Sequence, residues 1–237
     1  MDFRRAAKGV NMLSSLFKQF ENIVVLDVET TGLDPKTEEI IELGAILVTA
    51  EEKPYSIKDE LAALITLSEG KKLSSEVSAL TGISEKQLKS DGQPKEKVSE
   101  KLAKLLKHPN TLLVAYNAQF DLNFIYHFMN KFNHASALKQ IKMLDAMAVY
   151  KDRRDYPHKL SDAVEKYNLQ NENAHRAVDD AKATLGILNA MGAEKDDLYR
   201  YVNLFGYNPK YGVSGSKISS VKYKPQGYDR KKPLYEI

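Results

Sequence analysis

The order of apolar segments along the chain predicts an α/β fold, with helices packed against a mixed β-sheet. Three β-branched, apolar segments come first and are joined by short turns, which favours antiparallel or mixed pairing between them. A fourth apolar segment lies between helical segments, and amphipathic helical patterns dominate the rest of the chain. With 237 residues, of which 43% are hydrophobic, the chain is long enough to bury one well-packed core.

The first strand is predicted at residues 23–28, where Ile-Val-Val-Leu-Asp-Val is typical of a buried strand. A turn follows at residues 30–35, because its Gly and Pro favour a change of chain direction. Residues 40–49 and 60–66 are predicted as the second and third strands, and residues 111–116 as the fourth.

Five segments carry helical patterns. Ser74 is a plausible cap for the first, and apolar residues at positions 98, 102, 105 and 106 form one face of the second. With the two helical segments before the fourth strand counted as one helical region, the predicted element order is β-β-β-α-β-α-α-α. The helices are predicted at residues 74–80, 97–107, 120–132, 160–167 and 177–191, with a surface loop at 89–97.

The two ends differ from the middle of the chain. Residues 1–20 form a leader with apolar residues at helical spacing, and residues 21–205 form the main domain. Residues 206–237 are a tail rich in Gly, Pro and Tyr, without a convincing helical or strand period. This tail carries seven Lys or Arg against two Asp or Glu, so its net charge is +5 and that of the remaining chain is −2.

The composition excludes several classes of site. The absence of cysteine excludes disulfides and cysteine-ligated zinc. No apolar run of signal-peptide length follows the basic N-terminus, and residues 23–26 are too few to span a membrane. We therefore expect a cytoplasmic protein without membrane association. The near-neutral main domain does not indicate nucleic-acid binding through bulk charge, so any such binding must be local or depend on metal ions.

Asp27 and Glu29 end the first predicted strand. Because side chains alternate along a strand, both carboxylates point to the same side. Two adjacent acids at the end of an apolar strand are costly unless a cation neutralises them, and oxygen ligands suit Mg²⁺ or Mn²⁺. Solvated acids at the end of a strand are an equally good interpretation of this pair alone.

Two further clusters follow. Asn117 to Asp121 comes directly after the fourth strand, where sites form in α/β sheets, although ordinary helix capping also accounts for it. His175 precedes Asp180 by five residues, so both can reach one site only if His175 lies in the loop before the helix. The neighbouring Asp179 is the minor alternative to Asp180.

Together and in this order, three motifs resemble those of the DEDD exonuclease superfamily. They are Asp-x-Glu-Thr-Thr-Gly-Leu from Asp27, Asn-Ala-x-Phe-Asp from Asn117, and His-x-Ala-x-x-Asp-Ala from His175. The position of the histidine, five residues before the last aspartate, resembles the pattern of the DEDDh branch. This branch includes the proofreading subunit of bacterial replicative polymerase. The resemblance covers about residues 21–192 and includes the segments at 80–84, 144–145 and 156–160.

The resemblance implies a ribonuclease H-like mixed sheet flanked by α-helices on both faces, and a 3′→5′ exonuclease with two divalent metal ions, Mg²⁺ or Mn²⁺. Asp27 would bridge the two ions, with Glu29 and Asp180 completing one site. Asp121 would bind a metal directly or through water, and His175 would take a proton from the attacking water. Two ions about 4 Å apart stabilise the attacking and leaving oxygens, and histidine is suited to proton transfer near neutrality.

Residues next to the acids are candidates for substrate binding. The turn after the first strand could contact the terminal nucleotide through backbone N–H groups, and its leucine could wedge against the last base. Core packing or turn formation is an equally good explanation for each of them. The candidates are Thr30, Thr31, Gly32, Leu33, Asn117 and Phe120.

The favoured substrate is a single-stranded or frayed 3′ end of DNA, hydrolysed to nucleoside monophosphates in replication or repair, with a DNA polymerase as a candidate partner. A 3′→5′ exoribonuclease is the alternative within the family, because recognition of the 2′-OH depends on details of the pocket. A non-catalytic polymerase-accessory module that binds nucleic acid is the alternative from another class. All five catalytic positions are filled, which argues against it.

The tail has two interpretations. Basic residues interleaved with tyrosines, as at 222–224 and 228–232, suit backbone contacts and base stacking on a nucleic acid. The same composition suits a disordered tail that binds a protein partner.

Overall fold

A computed structural model describes residues 13–50, 55–171, 173–227 and 232–237. Its main sheet has five strands in the order β3-β2-β1-β4-β5. The first three strands pair antiparallel, whereas β4 and β5 continue the sheet in parallel with β1, so the predicted mixed sheet is confirmed. The strands are β1 (Asn22–Thr30), β2 (Ile40–Thr49), β3 (Ser56–Leu64), β4 (Thr111–Ala115) and β5 (Lys142–Asp145).

Helices cover both faces of this sheet, as expected. The apolar residues of β1 alternate between two cores, because successive side chains of a strand point to opposite faces. Val24, Leu26 and Val28 pack with α4 and α5, while Ile23 and Val25 pack with α6, α7 and α8. The helices are α1 (Ser14–Phe17), α2 (Ser75–Thr81), α3 (Glu85–Ser90), α4 (Lys95–Leu106), α5 (Ala118–Asn130), α6 (Ala146–Arg153), α7 (Leu160–Lys166) and α8 (Ala177–Glu194).

Several elements differ from the sequence-based prediction. The predicted loop at 89–97 is shorter, because α3 runs to Ser90 and α4 begins at Lys95. Residues 142–153 have no extended hydrophobic period of a strand or a helix, yet they form β5 and α6. β5 has only four residues, and both elements are held by tertiary packing rather than by a strong local pattern.

The segments at the two ends pack on the main sheet. Of the leader, α1 lies within the described residues, and Leu13 and Leu16 are fully buried; Met12 and the residues before it lie outside them. A parallel pair of strands, which the sequence pattern did not reveal, joins the end of the main domain to the tail: β6 (Leu204–Tyr207) spans their predicted boundary, and β7 (Lys222–Pro225) lies within the tail. Residues 228–231 of the predicted stacking segment lie outside the described residues. No helix in the described part of the chain is long and apolar enough to cross a membrane.

Candidate active site

The site lies at the C-terminal end of β1. Asp27 and Glu29 point to the α8 face of the sheet, as their spacing predicted. Across the antiparallel pair, Gly44 of β2 lies opposite Asp27 and Glu42 lies opposite Glu29. Paired residues of neighbouring strands share a face, so three acids and one glycine form the floor of the site.

Asp121 reaches the same place from the opposite side of the sheet. It lies in the first turn of α5 and is only 2% exposed. Its Oδ1 atom accepts a hydrogen bond from the Val28 backbone N–H at 3.2 Å, which fixes the carboxylate beside the end of β1 between Asp27 and Glu29. The structure therefore brings Asp121 to the acids of the first motif.

The third cluster completes the site. His175 lies in the loop before α8, as the five-residue spacing required, and has a left-handed backbone with φ of 66°. Its backbone N–H donates to Asp180 Oδ2 at 3.1 Å. Ligand atoms of Glu29, His175 and Asp180 all lie within 4.8 Å of one another, a spacing that one metal ion can bridge.

The structure also separates the two adjacent aspartates. Asp180 is buried, at 7% exposure, and faces Glu29. The Asp179 carboxylate instead accepts a hydrogen bond from Asn173 Nδ2 at 3.1 Å, within the surface loop. Of the two, only Asp180 is a member of the acidic cluster.

Burial and mutual repulsion of the carboxylates in this cluster favour binding of a cation. Burial raises the pKa of Asp27 well above its usual range, and the negative charges of Asp121, Asp180 and Glu29 raise it further. Burial, followed by repulsion from Asp180, raises the pKa of Glu29 to about 8. Burial also raises the pKa of Asp121 and of Asp180. A divalent ion would remove this penalty, and a set of carboxylate oxygens fits Mg²⁺ or Mn²⁺.

Glu42 and Arg176 hold the histidine loop in place. The Arg176 Nε and Nη2 atoms donate to Glu42 Oε1 at 2.9 and 2.8 Å, and the Ala177 backbone N–H donates to Glu42 Oε2 at 3.1 Å. Glu42 thus satisfies an otherwise unpaired donor at the start of α8. Because Glu42 is only 2% exposed, this ion pair fixes the two residues that directly follow His175.

Gly44 lets α8 approach the sheet. A Cβ atom at this position would lie 2.1 Å from the Val178 backbone nitrogen and 2.2 Å from the Ala177 carbonyl carbon. No side chain fits such a gap, so glycine is required for α8 to bring Asp180 towards Asp27. The sequence-based interpretation gave no role to Gly44, Glu42 or Arg176, because their partners are more than 130 residues away.

The turn after β1 lies beside the acids, where substrate contacts were expected. The Thr31 backbone N–H donates to the Glu39 carbonyl at 2.9 Å, so this hydrogen bond stabilises the turn. The Thr30 hydroxyl donates to the Gly32 carbonyl at 2.7 Å and closes the turn. Leu33 is 84% exposed, a position from which its side chain can contact a base.

The remaining candidates occupy the start of α5. Asn117 precedes the helix with a left-handed backbone and an exposed side chain. Its N–H donates to Asp145 Oδ1 at 3.0 Å, and Asp145 also accepts from Ala118 at 3.3 Å, so the end of β5 positions α5. Phe120 packs against Phe124 with ring centroids 4.9 Å apart, which gives it a structural role.

The unassigned residue of the second motif, Gln119, anchors the tail. Its Nε2 atom donates to the carbonyls of Ser214 and Ser216 at 2.9 and 2.7 Å, and its Oε1 atom accepts from the Tyr223 hydroxyl at 2.6 Å. The tail therefore runs past the start of α5.

One family model and several known proteins match the sequence of this chain. The RNase T exonuclease family model matches residues 24–188. DNA polymerase III of the PolC type from Thermotoga petrophila is 36% identical over 170 residues, which are 70% of this chain and 12% of that protein. The PolC-type polymerase of Caldanaerobacter subterraneus is 31% identical over 219 residues, 90% of this chain and 14% of that protein.

A relative of another kind is the 3′-5′ exonuclease DinG of Bacillus subtilis. It is 30% identical over 169 residues, which are 69% of this chain and 17% of that protein. The chain thus spans less than a fifth of the length of each of these three relatives.

Solved structures show the same fold. Exonuclease I of E. coli in a complex with single-stranded DNA superposes with a TM-score of 0.68 at 19% identity, over 77% of this chain and 43% of that chain. Its complex with a dT13 oligonucleotide gives a TM-score of 0.69 at 17% identity, over 76% and 43% of the two chains. The five-stranded sheet is therefore ribonuclease H-like.

Proposed function

Because the chain belongs to the RNase T exonuclease family, we propose that it is a metal-dependent 3′→5′ exonuclease of the DEDDh type. Its substrate is a single-stranded or frayed 3′ end of DNA, from which it releases nucleoside monophosphates. The observation that carries this proposal is the convergence of four acids and a histidine from three separate segments on the end of β1. Their mutual repulsion and burial make a cation part of the functional site.

Asp27, Glu29, Asp121 and Asp180 would hold two divalent ions, Mg²⁺ or Mn²⁺. Asp27 is central, since the charges of Asp121, Asp180 and Glu29 all act on it. Ions bound there supply Lewis-acid stabilisation of the negative charge that develops on the reacting phosphate. The chain itself orients those ligands through the Val28 N–H on one side and the start of α8 on the other.

His175 acts as the general base. Its side chain is exposed to the cleft, and a ring nitrogen lies within 4.8 Å of ligand oxygens of Glu29 and Asp180. From this position the ring takes a proton from the water that attacks the terminal phosphodiester. The Glu42–Arg176 ion pair fixes the loop, so the ring stays within reach of the acids.

DNA is favoured over RNA because two of the relatives are named as DNA polymerases, and because the chain shares its fold with an exonuclease solved with single-stranded DNA. The PolC-type relatives carry a matching region within a far longer polymerase. We therefore propose a role in DNA replication or repair, with a DNA polymerase as a candidate partner.

The proposal is tested with single-stranded DNA, duplex DNA and RNA carrying a 5′ label, incubated with Mg²⁺ or EDTA. We expect a ladder of products shortened one nucleotide at a time from the 3′ end, on DNA faster than on RNA, and only with metal. Asp27→Ala abolishes the ladder, and His175→Ala lowers the rate by about 10²–10⁴-fold while metal binding persists. Internal cleavage products, or full activity in EDTA, would refute the proposal.

A further inference from the structure

A cavity of about 450 Å³ lies beside the candidate active site. Tyr116 and Asn117, which directly follow β4, line one side of it. Asn117 precedes α5, and Asp121 follows four residues later, about 6 Å along the helix axis. The cavity therefore lies one helical turn from the acidic cluster.

The lining of this cavity is cationic. Two lysines, Lys151 and Lys159, line it together with His158 and neutral residues, and none of the described acidic side chains does. The neighbouring cavity beside Arg153 and Arg154 differs, because acidic side chains line it together with the arginines. An excess of positive charge without acids is what a site for an anionic ligand requires.

Lys151 is the central cation of this cavity. It is half-buried on α6, and no hydrogen bond or ion pair joins its ammonium group to another described residue. Burial lowers its pKa, while the charge of Asp145 below the cavity raises it. The Oδ1 atom of Asp145 accepts hydrogen bonds from the backbone N–H groups of Asn117, Ala118 and Met147. The ammonium group thus retains its donors for a ligand in the cavity.

The tail forms the remaining wall. Asn208, Gln226 and Gly227 line the cavity, and all three lie beyond residue 188, where the family match ends. Gln226 is fixed there, because its Nε2 atom donates to the Ala148 carbonyl at 2.8 Å and to Asp152 at 2.7 Å. The wall is therefore part of the packed structure.

An exposed aromatic ring stands at the rim. Tyr156 is 70% exposed and meets the His158 ring edge-on, with centroids 5.9 Å apart. Exposed tyrosines beside basic groups are the usual platform for unpaired bases next to backbone phosphates. The cavity thus combines a cation for a phosphate with a ring for a base.

We propose that this cavity is a subsite for a single-stranded nucleic acid, which binds one backbone phosphate at Lys151 and stacks one base on Tyr156. The inference rests on the proposed function, because it assumes that the strand continues to the acidic cluster. The tail completes the subsite, so it provides part of the substrate contact that the matched domain lacks. Deleting the tail is not a clean test, since it would remove the buried side chains of Val221 and Leu234.

The test uses point variants of the full chain. Lys151→Met removes the cation and keeps the length of the side chain. Asn208→Asp adds a negative charge to the tail wall and keeps the Oδ1 acceptor, which binds the Lys210 N–H at 2.9 Å. Lys139→Met is the matched control, because Lys139 is an exposed lysine without a described ion pair, next to the core on the other face of the sheet.

Two readouts separate this subsite from the metal site. Binding of a fluorescein-labelled oligothymidylate is measured by anisotropy in Ca²⁺ over a range of salt concentrations. Hydrolysis of the p-nitrophenyl ester of thymidine 5′-monophosphate reports on the metal site alone, because this substrate has no upstream nucleotide. We expect Lys151→Met to weaken oligonucleotide binding about tenfold, the effect of one charge-assisted hydrogen bond. The slope of the logarithm of the binding constant against the logarithm of the salt concentration should fall in magnitude by about 0.7, as for one lost phosphate contact. Hydrolysis of the ester should be unchanged.

Asn208→Asp should weaken oligonucleotide binding in the same direction, while the Lys139→Met control binds like the unaltered chain. Equal affinity and equal salt slope for Lys151→Met and the control would overturn the subsite. Failure of the unaltered chain to hydrolyse either substrate would instead refute the proposed function, and the anisotropy measurement would still decide whether Lys151 binds the strand.

Discussion

Gly44 offers the sharpest test of how the fold positions the acids. Replacing it with alanine places a Cβ atom 2.1 Å from the Val178 backbone nitrogen. An ordinary contact at this position begins at 3.4 Å, so β2 and the start of α8 must separate by about 1.3 Å. This shift carries Asp180 and His175 away from Asp27, which stays on β1.

A displacement of about 1 Å in a catalytic constellation costs about a hundredfold in rate. We therefore expect Gly44→Ala to lower kcat on single-stranded DNA about a hundredfold. Affinity for Mn²⁺, followed by electron paramagnetic resonance, should also fall because Asp180 moves away from the other ligands. A circular dichroism spectrum like that of the unaltered chain establishes that the sheet and helices persist.

Gly186→Ala is the matched control. Gly186 lies on the same helix, and a Cβ atom there would meet only the flexible end of Leu169, at 3.2 Å. Alanine in a helix interior is favoured over glycine by about 1 kcal/mol, so this variant should keep full activity and unfold at a slightly higher temperature. If Gly44→Ala were as active as Gly186→Ala, close approach of α8 to β2 would not be what positions the site.

Three further predictions follow from the same geometry. Glu42→Gln keeps the shape of the side chain but removes its charge, so the Arg176 bonds weaken and kcat should fall about tenfold; an unchanged kcat in steady-state assays would show that the ion pair does not position His175. Asp180→Asn should abolish Mn²⁺-dependent hydrolysis, whereas Asp179→Asn should retain it, and equal loss in both would contradict the assignment of the buried aspartate. In EDTA, the thermal unfolding temperature should fall as the pH rises from about 4.5 to about 8, because the folded chain holds the Glu29 proton and the unfolded chain releases it. Added Mg²⁺ should reverse that fall, and a flat profile in EDTA would contradict the raised pKa of Glu29.

The parts of the fold with a strong local pattern were predictable from the sequence. β2 was predicted with the bounds that the structure has, because ten buried residues are flanked by polar turns. β5 and α6 were missed, since they have four and eight residues and are held by packing against β4 and α8. The strands of the tail were missed for a similar reason, because β6 and β7 are short and separated by 14 residues without a regular period.

In the site, too, residues within local sequence patterns were predictable and residues positioned by tertiary packing were not. Asp27 and Glu29 follow from the alternation of a strand, and the order of the motifs added Asp121, His175 and Asp180 to the set. The supporting residues have no local signal. Glu42 bonds to Arg176 across 134 positions, and Gln119 bonds to the tail across more than 90. Such contacts are set by tertiary packing, which a single sequence does not encode in any short pattern.

The direction of degradation is the most direct test of the central claim. A single-stranded oligonucleotide is labelled on its 3′-terminal nucleotide in one sample and on its 5′ end in another, and both are incubated with Mg²⁺ and the unaltered chain. The proposed function predicts that labelled mononucleotide is released from the 3′-labelled strand at the first turnover, while the 5′-labelled strand yields a descending ladder. Release of labelled mononucleotide from the 5′-labelled strand before any ladder forms would contradict it.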